Sequence, residues 1–328
     1  MTAIQAPETL LEAVTYFGNP ENAFEFFKQI RWPNGVRCPR CNSDKVTFLE
    51  NAKVWKCRTP HAKQKFSAKV GTIFEDSPIG LDKWLPAMWL ASNCKNGVSS
   101  YELHRALGVT QKTAWFMLQR IRLAMQDGSI DKMSGRVEAD ETFIGAKARN
   151  IHKGKRRAKG TGYASMTAVQ GLLERTTNEK ASRVKLKVVG NMRKAELQGN
   201  VREYVMNGSE VFTDALQSYT GLLDDYTHKV IDHAECYAKG HVHTNGLENF
   251  WSLLKRALKG TYVNVEPFHL FRYLDEQAFR FNERKDNDQG RFIKALSGVV
   301  GKSLKYAKLI AAEGGDGPYP TTETWQTA

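Results

Sequence analysis

Apolar residues recur at helical spacing over residues 8–30: Leu10, Leu11, Val14 and Phe17, then Phe24, Phe26, Phe27 and Ile30, with a break at Gly18-Asn19-Pro20. Residues 36–75 change character. Short strand-like runs (Val46-Thr-Phe-Leu, Val54-Trp-Lys-Cys, Lys65-Phe-Ser) alternate with cysteines and turn residues. Helical periodicity returns over 81–127. From about Gly135 to 232 strands and helices alternate, with strands expected at Arg136–Ile144, Ser165–Leu173, Arg183–Val189 and Glu210–Thr213 and a helix near Arg193–Val205. Residues 244–284 read as long helices, and Gly314–Ala328, rich in Gly, Pro and Thr, as a loose tail.

Composition narrows the class. The 328 residues suggest two or three domains, and the hydrophobic share of 41% is enough to build cores. The net charge of +13 favours a polyanionic partner, nucleic acid first and an anionic membrane surface second. No run of eighteen apolar residues is present, and the N-terminus has neither a basic start nor an apolar signal core, so a cytoplasmic, nucleoid-associated protein is expected. Five cysteines, three of them clustered early, suit metal binding better than a disulfide framework.

The cysteine cluster has metal-ligand spacing. Cys38-Pro-Arg-Cys41 offers two thiolates that can reach one tetrahedral ion, and Cys57 with His61 can complete the set. Zn2+ would replace the core that some forty small, basic residues cannot build. Cys94 and Cys236 have no partner by spacing and read as inert thiols.

Residues 99–125 read as two helices joined by a turn, with Leu81–Ser92 as a preceding helix. Ser99 and Glu102 form a capping box, Gly108 suits a left-handed turn, and Thr110 can cap the second helix. Leu103, Ala106 and Leu107 make one apolar face; Ala114, Met117, Leu118 and Ile121 make the next. Gln111, Lys112, Thr113 and Arg120 are then expected outward, able to touch bases and phosphates, as in a helix-turn-helix.

Three acidic residues complete the candidate chemistry. Along Arg136–Ile144 the side chains of Arg136, Glu138, Asp140 and Thr142 share one strand face. Glu210–Asp214 is a short apolar strand ending in an acid. His243–Arg256 begins an apolar-faced helix with Glu248 near its first turn and Lys255 two turns on, beside Arg256. Each acid alone has a plain explanation as a cap or a turn residue. Two strand-borne aspartates and one helix-borne glutamate in this order point instead to a site that holds Mg2+ or Mn2+ through hard oxygen ligands.

At this point the sequence resembles bacterial insertion-sequence transposases of the D-D-E type with an N-terminal zinc ribbon and helix-turn-helix, the ISXO2-like type. The matching stretches are RWPNGVRCPRC, KCRTPHAKQKFSAKVGTIFEDS, GVTQKTAWFMLQRIR, VEADETFIG, VFTDALQSY, HTNGLENFWSLLKRALKGTY and FRYLDEQAFRFNERK. The resemblance implies a ribonuclease-H-like core, Mg2+ dependence, and a homodimer or larger homo-oligomer acting on the terminal inverted repeats of a transposon and on target DNA. It assigns Asp140, Asp214 and Glu248 as the metal-holding catalytic acids, and Lys255 as a residue gripping DNA. It departs from the pattern at His61, where such ribbons usually carry a cysteine of a second C-x2-C. Asn245 and Asn249 flank Glu248 as minor rivals, since some relatives carry Asn as the third residue.

The fold expected is therefore multidomain α+β: an N-terminal helical segment (1–35), a zinc ribbon (36–75), a helix-turn-helix domain (76–130), a ribonuclease-H-like α/β catalytic domain (131–290), and a C-terminal helix with a flexible tail (291–328). The function expected is cleavage at transposon ends and transfer of the 3′-OH into target DNA. A DNA-binding regulator without catalysis, and a nuclease that cuts without joining, are the alternatives. The basic stretch Lys147–Lys159 reads either as a solvated loop tip or as a phosphate contact. His152, His228, His233, His241 and His243 read as loop histidines, and Trp84, Trp89, Trp115 and Trp251 as core, with base stacking as a second role for Trp251.

Overall fold

The computed structural model describes residues 6–126, 131–145, 166–178, 180–214, 216–231 and 243–310. The stretch Lys147–Lys159, the tail Gly314–Ala328, Cys236 and the histidines His152, His233 and His241 lie outside the described residues. The chain forms two compact units. Residues up to Gln126 and a return from Asp286 make one; residues from Asp127 to Lys285 make the other.

The first unit opens with α1 (Leu10–Phe17) and α2 (Pro20–Arg31). Asn19 caps α2 and proline stands at its first turn, so the break read at Gly18-Asn19-Pro20 is the junction of two helices. A small antiparallel sheet follows: β1 (Val46–Leu49), β2 (Val54–Cys57) and β3 (Lys65–Phe66). Its inner side is aromatic. Trp55 packs against Phe48, Phe66, Phe24 and Trp32, with ring centroids 4.8–5.9 Å apart. Next come α3 (Leu81–Asn93), α4 (Ser100–Leu107) and α5 (Gln111–Ala124).

The turn chemistry between α4 and α5 matches the sequence expectation in detail. Ser99 and Glu102 form a reciprocal capping box, Gly108 sits at φ +60°, and the Thr110 hydroxyl accepts from the Thr113 amide. Ala114, Met117, Leu118 and Ile121 are buried. The face expected on α4 is narrower, because Leu103 is buried while Ala106 is exposed.

The second unit holds a five-stranded mixed sheet in the order β6-β5-β4-β7-β8. The strands are β4 (Arg136–Ile144), β5 (Thr167–Glu174), β6 (Arg183–Val189), β7 (Glu210–Asp214) and β8 (Thr227–Ile231). β4, β5 and β6 run antiparallel as a meander, whereas β7 and β8 run parallel to β4. Between β6 and β7 lies α6 (Lys194–Tyr204); after the sheet come α7 (Asn245–Ala257) and α8 (Leu270–Asn282). The alternation along β4 sorts its residues between two cores. Val137 and Ala139 pack with Leu197 and Val201 of α6 on one face. On the other face Leu247, Phe250 and Trp251 of α7 pack with Val169, Leu173, Tyr273 and Leu274. β8 lacks the alternation that marked the other strands, being a short polar edge segment (THKVI), and is seen only in the structure.

The chain then rejoins the first unit through α9 (Asp288–Ser297) and α10 (Tyr306–Leu309). Phe292 of α9 packs against Phe17, Phe26 and Trp89. The whole is a mixed α+β protein with a cysteine-bearing ribbon and a sheet-containing second unit.

Candidate functional site

The ribbon brings its four expected ligands together. One ligand atom each from Cys38, Cys41, Cys57 and His61 lies within 4.8 Å of all the others. The Cys38 sulfur is 3.4 Å from His61 Nε2, and the Cys41 and Cys57 sulfurs are 3.6 Å apart. A tetrahedral ion with zinc–sulfur bonds of about 2.3 Å separates its sulfurs by about 3.8 Å, so these spacings fit zinc. His61 Nδ1 meets the Ala62 carbonyl at 2.7 Å, which orients the ring and directs Nε2 at the thiols. The Cys57 thiol is held down to about 7: loss of solvation works upward, and hydrogen bonds from His61, Thr59 and Cys41 outweigh it. His61 is thus placed to supply a fourth ligand despite its departure from a second C-x2-C.

The α4–α5 pair divides the expected contact residues. Lys112 is exposed, its ammonium 4.7 Å from the Tyr306 ring centre. Thr113 is half-buried beside Thr110, and the Gln111 amide donates to the Ser100 hydroxyl at 2.9 Å. Arg120 corrects the sequence reading. It is 6% exposed, and its guanidinium donates to the carbonyls of Leu304, Ile73 and Glu75. Helical spacing put it near the outer face, but hydrogen bonds to three backbone carbonyls hold it inward. Burial pulls its pKa down, and the charges of Asp76 and Glu75 oppose the shift. It is a structural tie and not a surface contact. Trp115 is likewise only half-buried, whereas Trp84 and Trp89 are core as expected.

In the second unit the strand register accounts for the placing of the aspartates. The β4–β7 ladder pairs Glu138 with Phe212. The pairing stops there, and Asp140 and Asp214 each lie two residues beyond it on their strands, on the same face as Glu138 and Phe212 by alternation. Both belong to the face covered by α7, as does Glu138. The Asp140 carboxylate accepts from the Trp251 indole at 2.9 Å and from the Glu141 amide at 2.8 Å; Asp214 accepts from the Leu216 amide at 3.1 Å. The Asp140 carboxyl is pushed up: burial is the main cause, the charges of Asp214 and Glu248 add to it, and its two hydrogen bonds pull it down. Among the described residues the ribbon group alone closes to 4.8 Å, so the acids are more widely spread.

Glu248 is exposed on the fourth residue of α7, and Lys255 and Arg256 are exposed further along it. Asn245 and Asn249 are also exposed. Trp251 is 5% exposed and is not available to stack on a base. Its ring lies against Gly171, where an added Cβ would stand 2.7 Å from it, so the glycine makes room for the indole that orients Asp140.

Two groups had no site role in the sequence reading, although Glu138 was placed there on the strand face of Asp140. Glu141 points to the opposite face, where the Tyr219 hydroxyl donates to it; Tyr219 in turn accepts from Gln170. Burial first, then the charges of Asp140 and Asp214, push the Glu141 carboxyl up to about 8 against the Tyr219 hydrogen bond. Glu138, only 1% exposed, is paired with Arg175 at 2.7 Å. Its position two residues before Asp140 was the available signal, because a strand acid on a covered face must find a partner.

Comparison with known proteins adds the family context. Residues 132–282 match the ISXO2-like transposase domain, and residues 18–60 match a transposase zinc-ribbon domain. An uncharacterised protein of the transposable element ISH50 from Halobacterium salinarum is 28% identical over 306 residues, covering 88% of this chain and 98% of that protein. Among the described residues no helix is long and apolar enough to cross a membrane.

Proposed function

Because the chain belongs to the ISXO2-like transposases, we propose that it cleaves DNA at transposon ends and joins the freed 3′-OH to target DNA, using Asp140, Asp214 and Glu248. The observation that carries this reading is the contact between β4 and α7 at Asp140, whose carboxylate accepts from the indole of Trp251 on the same helix that bears Glu248. The strand order, an antiparallel meander extended by two parallel strands with helices on both faces, supports a ribonuclease-H-like core. The capped α4–Gly108–α5 turn supports a helix-turn-helix.

The donor set fits Mg2+ or Mn2+, since all three side chains offer hard oxygens. When bound, the two ions would activate the attacking oxygen and stabilise the leaving one. The chain's own residues do the rest. The Trp251 indole fixes one oxygen of Asp140, leaving the other beside the Glu141 amide. Lys255 and Arg256, exposed on the helix that carries Glu248, meet the phosphates flanking the scissile bond. No protein nucleophile is required. Water opens one phosphodiester and releases a 3′-OH; that hydroxyl attacks a second phosphorus, forming one P–O bond as another breaks. Exposed Lys112 on α5, with Gln111 and Thr113 at its start, would contact the transposon ends, and two or more copies would pair them.

The test is a strand-transfer assay on end-sequence DNA with Asp140→Ala, Asp214→Ala and Glu248→Ala. Each is expected to abolish cut and joined products while DNA binding persists. Near-wild-type activity in any one removes that residue from the site. Cutting without joining would identify a nuclease, and binding without either a regulator.

A further inference from the structure

Helix α7 begins without a cap of its own. Its N-cap, Thr244, makes no side-chain cap hydrogen bond, yet the first turn of a helix leaves amides that need acceptors. The acceptor comes from more than a hundred residues earlier. Glu138 Oε2 accepts the Leu247 amide at 2.9 Å, and Leu247 directly precedes Glu248. Glu138 Oε1 is bound by Arg175 Nε at 2.7 Å and lies 3.6 Å from His243 Nδ1. Arg175 also reaches the His243 carbonyl and lies 3.0 Å from its Nδ1. His243, two residues before the helix, the first turn and the strand bearing Asp140 are thus tied at one point. Gly246 is fitted to that approach, because a Cβ there would stand 2.7 Å from Glu138 Oε2.

We propose that Glu138, with Arg175 and His243, is a positioning clamp that locks the N-terminus of α7 against β4 and so sets the separation of the Asp140 and Glu248 carboxylates. The inference rests on the proposed role of those two acids. Glu138 itself is turned into the protein, 1% exposed and engaged on both oxygens, so it acts through α7 and not as a ligand. A carboxylate is suited to the task. It is drawn to the positive end of the helix and neutralises a half-buried guanidinium with the same group. Because Glu138 and Asp140 are two residues apart on one strand face, any shift of the helix against Glu138 changes the Asp140–Glu248 distance directly.

The test is Mn2+ binding followed by electron paramagnetic resonance, beside DNA cleavage, on the full chain. Wild type and Glu248→Gln come first: loss of Mn2+ sites in the latter establishes the acids as ligands, and an unchanged titration overturns the functional reading itself. Given that result, Glu138→Ala and Gly246→Ala are expected to weaken Mn2+ binding by about 10-fold or more, with cleavage falling in step and DNA binding unchanged. Glu138→Gln, which keeps an acceptor for the Leu247 amide but not the charge facing Arg175, is expected to lie between. It also covers the case in which Glu138→Ala fails to fold, judged by the melting transition in chelator. Folded Glu138→Gln and Gly246→Ala variants with wild-type Mn2+ affinity and cleavage would overturn the clamp.

Discussion

Single residues in this chain take roles that spacing alone does not fix. Arg120 lies on α5 among residues suited to DNA contact, yet it is turned inward onto three carbonyls. Its removal leaves those acceptors short of a donor, and a buried unsatisfied group costs about 1–3 kcal/mol. Arg120→Ala is therefore expected to lower stability by several kcal/mol in denaturant titration, whereas Lys112→Ala is expected to leave stability unchanged and reduce the salt dependence of DNA binding by about one phosphate contact. Equal, purely electrostatic effects of the two would contradict this division. His228 is half-buried and lies 2.9 Å from the Thr213 hydroxyl. Burial lowers its pKa below the ordinary 6.5. Its neutral form is thus favoured in the fold, so its contribution is present above pH 6.5 and is lost as the pH falls through the lowered value. Melting temperature followed from pH 8 to 5 should decline, and His228→Gln should flatten that decline.

Among the elements, those with a strong internal period were legible in sequence and those held by distant partners were not. The β4 and β6 bounds match the apolar alternation, and α6 lies within the expected helix. The capping box, Gly108 and the Thr110 cap are local chemistry, so a few residues determine them. β8 escaped notice because it is an edge segment whose pairing with β7, and not its composition, makes it a strand. The four ribbon residues could be named from spacing, while the Trp251–Asp140 and Glu138–Leu247 contacts could not. They join positions more than a hundred residues apart. The ribbon shows what a metal supplies to a small element. β1, β2 and β3 carry one aromatic layer, and the cysteine group gathers beside it. Native mass spectrometry should find zinc bound, with His61→Cys retaining it and Cys57→Ser losing it. Zinc removal should broaden the ribbon amides without melting the second unit.

At the scale of the molecule, two compact units carry distinct chemistry. One holds the Cys3His group and the capped helix pair; the other holds the acids. The charge of +13 over the whole chain favours a polyanionic partner. The return of α9 to the first unit means that the second unit is an insertion in chain terms, which linear reading of a 131–290 domain followed by a C-terminal helix and tail (291–328) did not reveal. Convergence of the acids is what separates a transposase from a basic DNA-binding protein of the same architecture. It is tested most directly by crystals grown in Mn2+, with anomalous scattering recorded at the manganese edge. Two peaks about 3.5–4 Å apart are expected between the Asp140, Asp214 and Glu248 carboxylates. A well-ordered map with no manganese within bonding distance of these three side chains would contradict it.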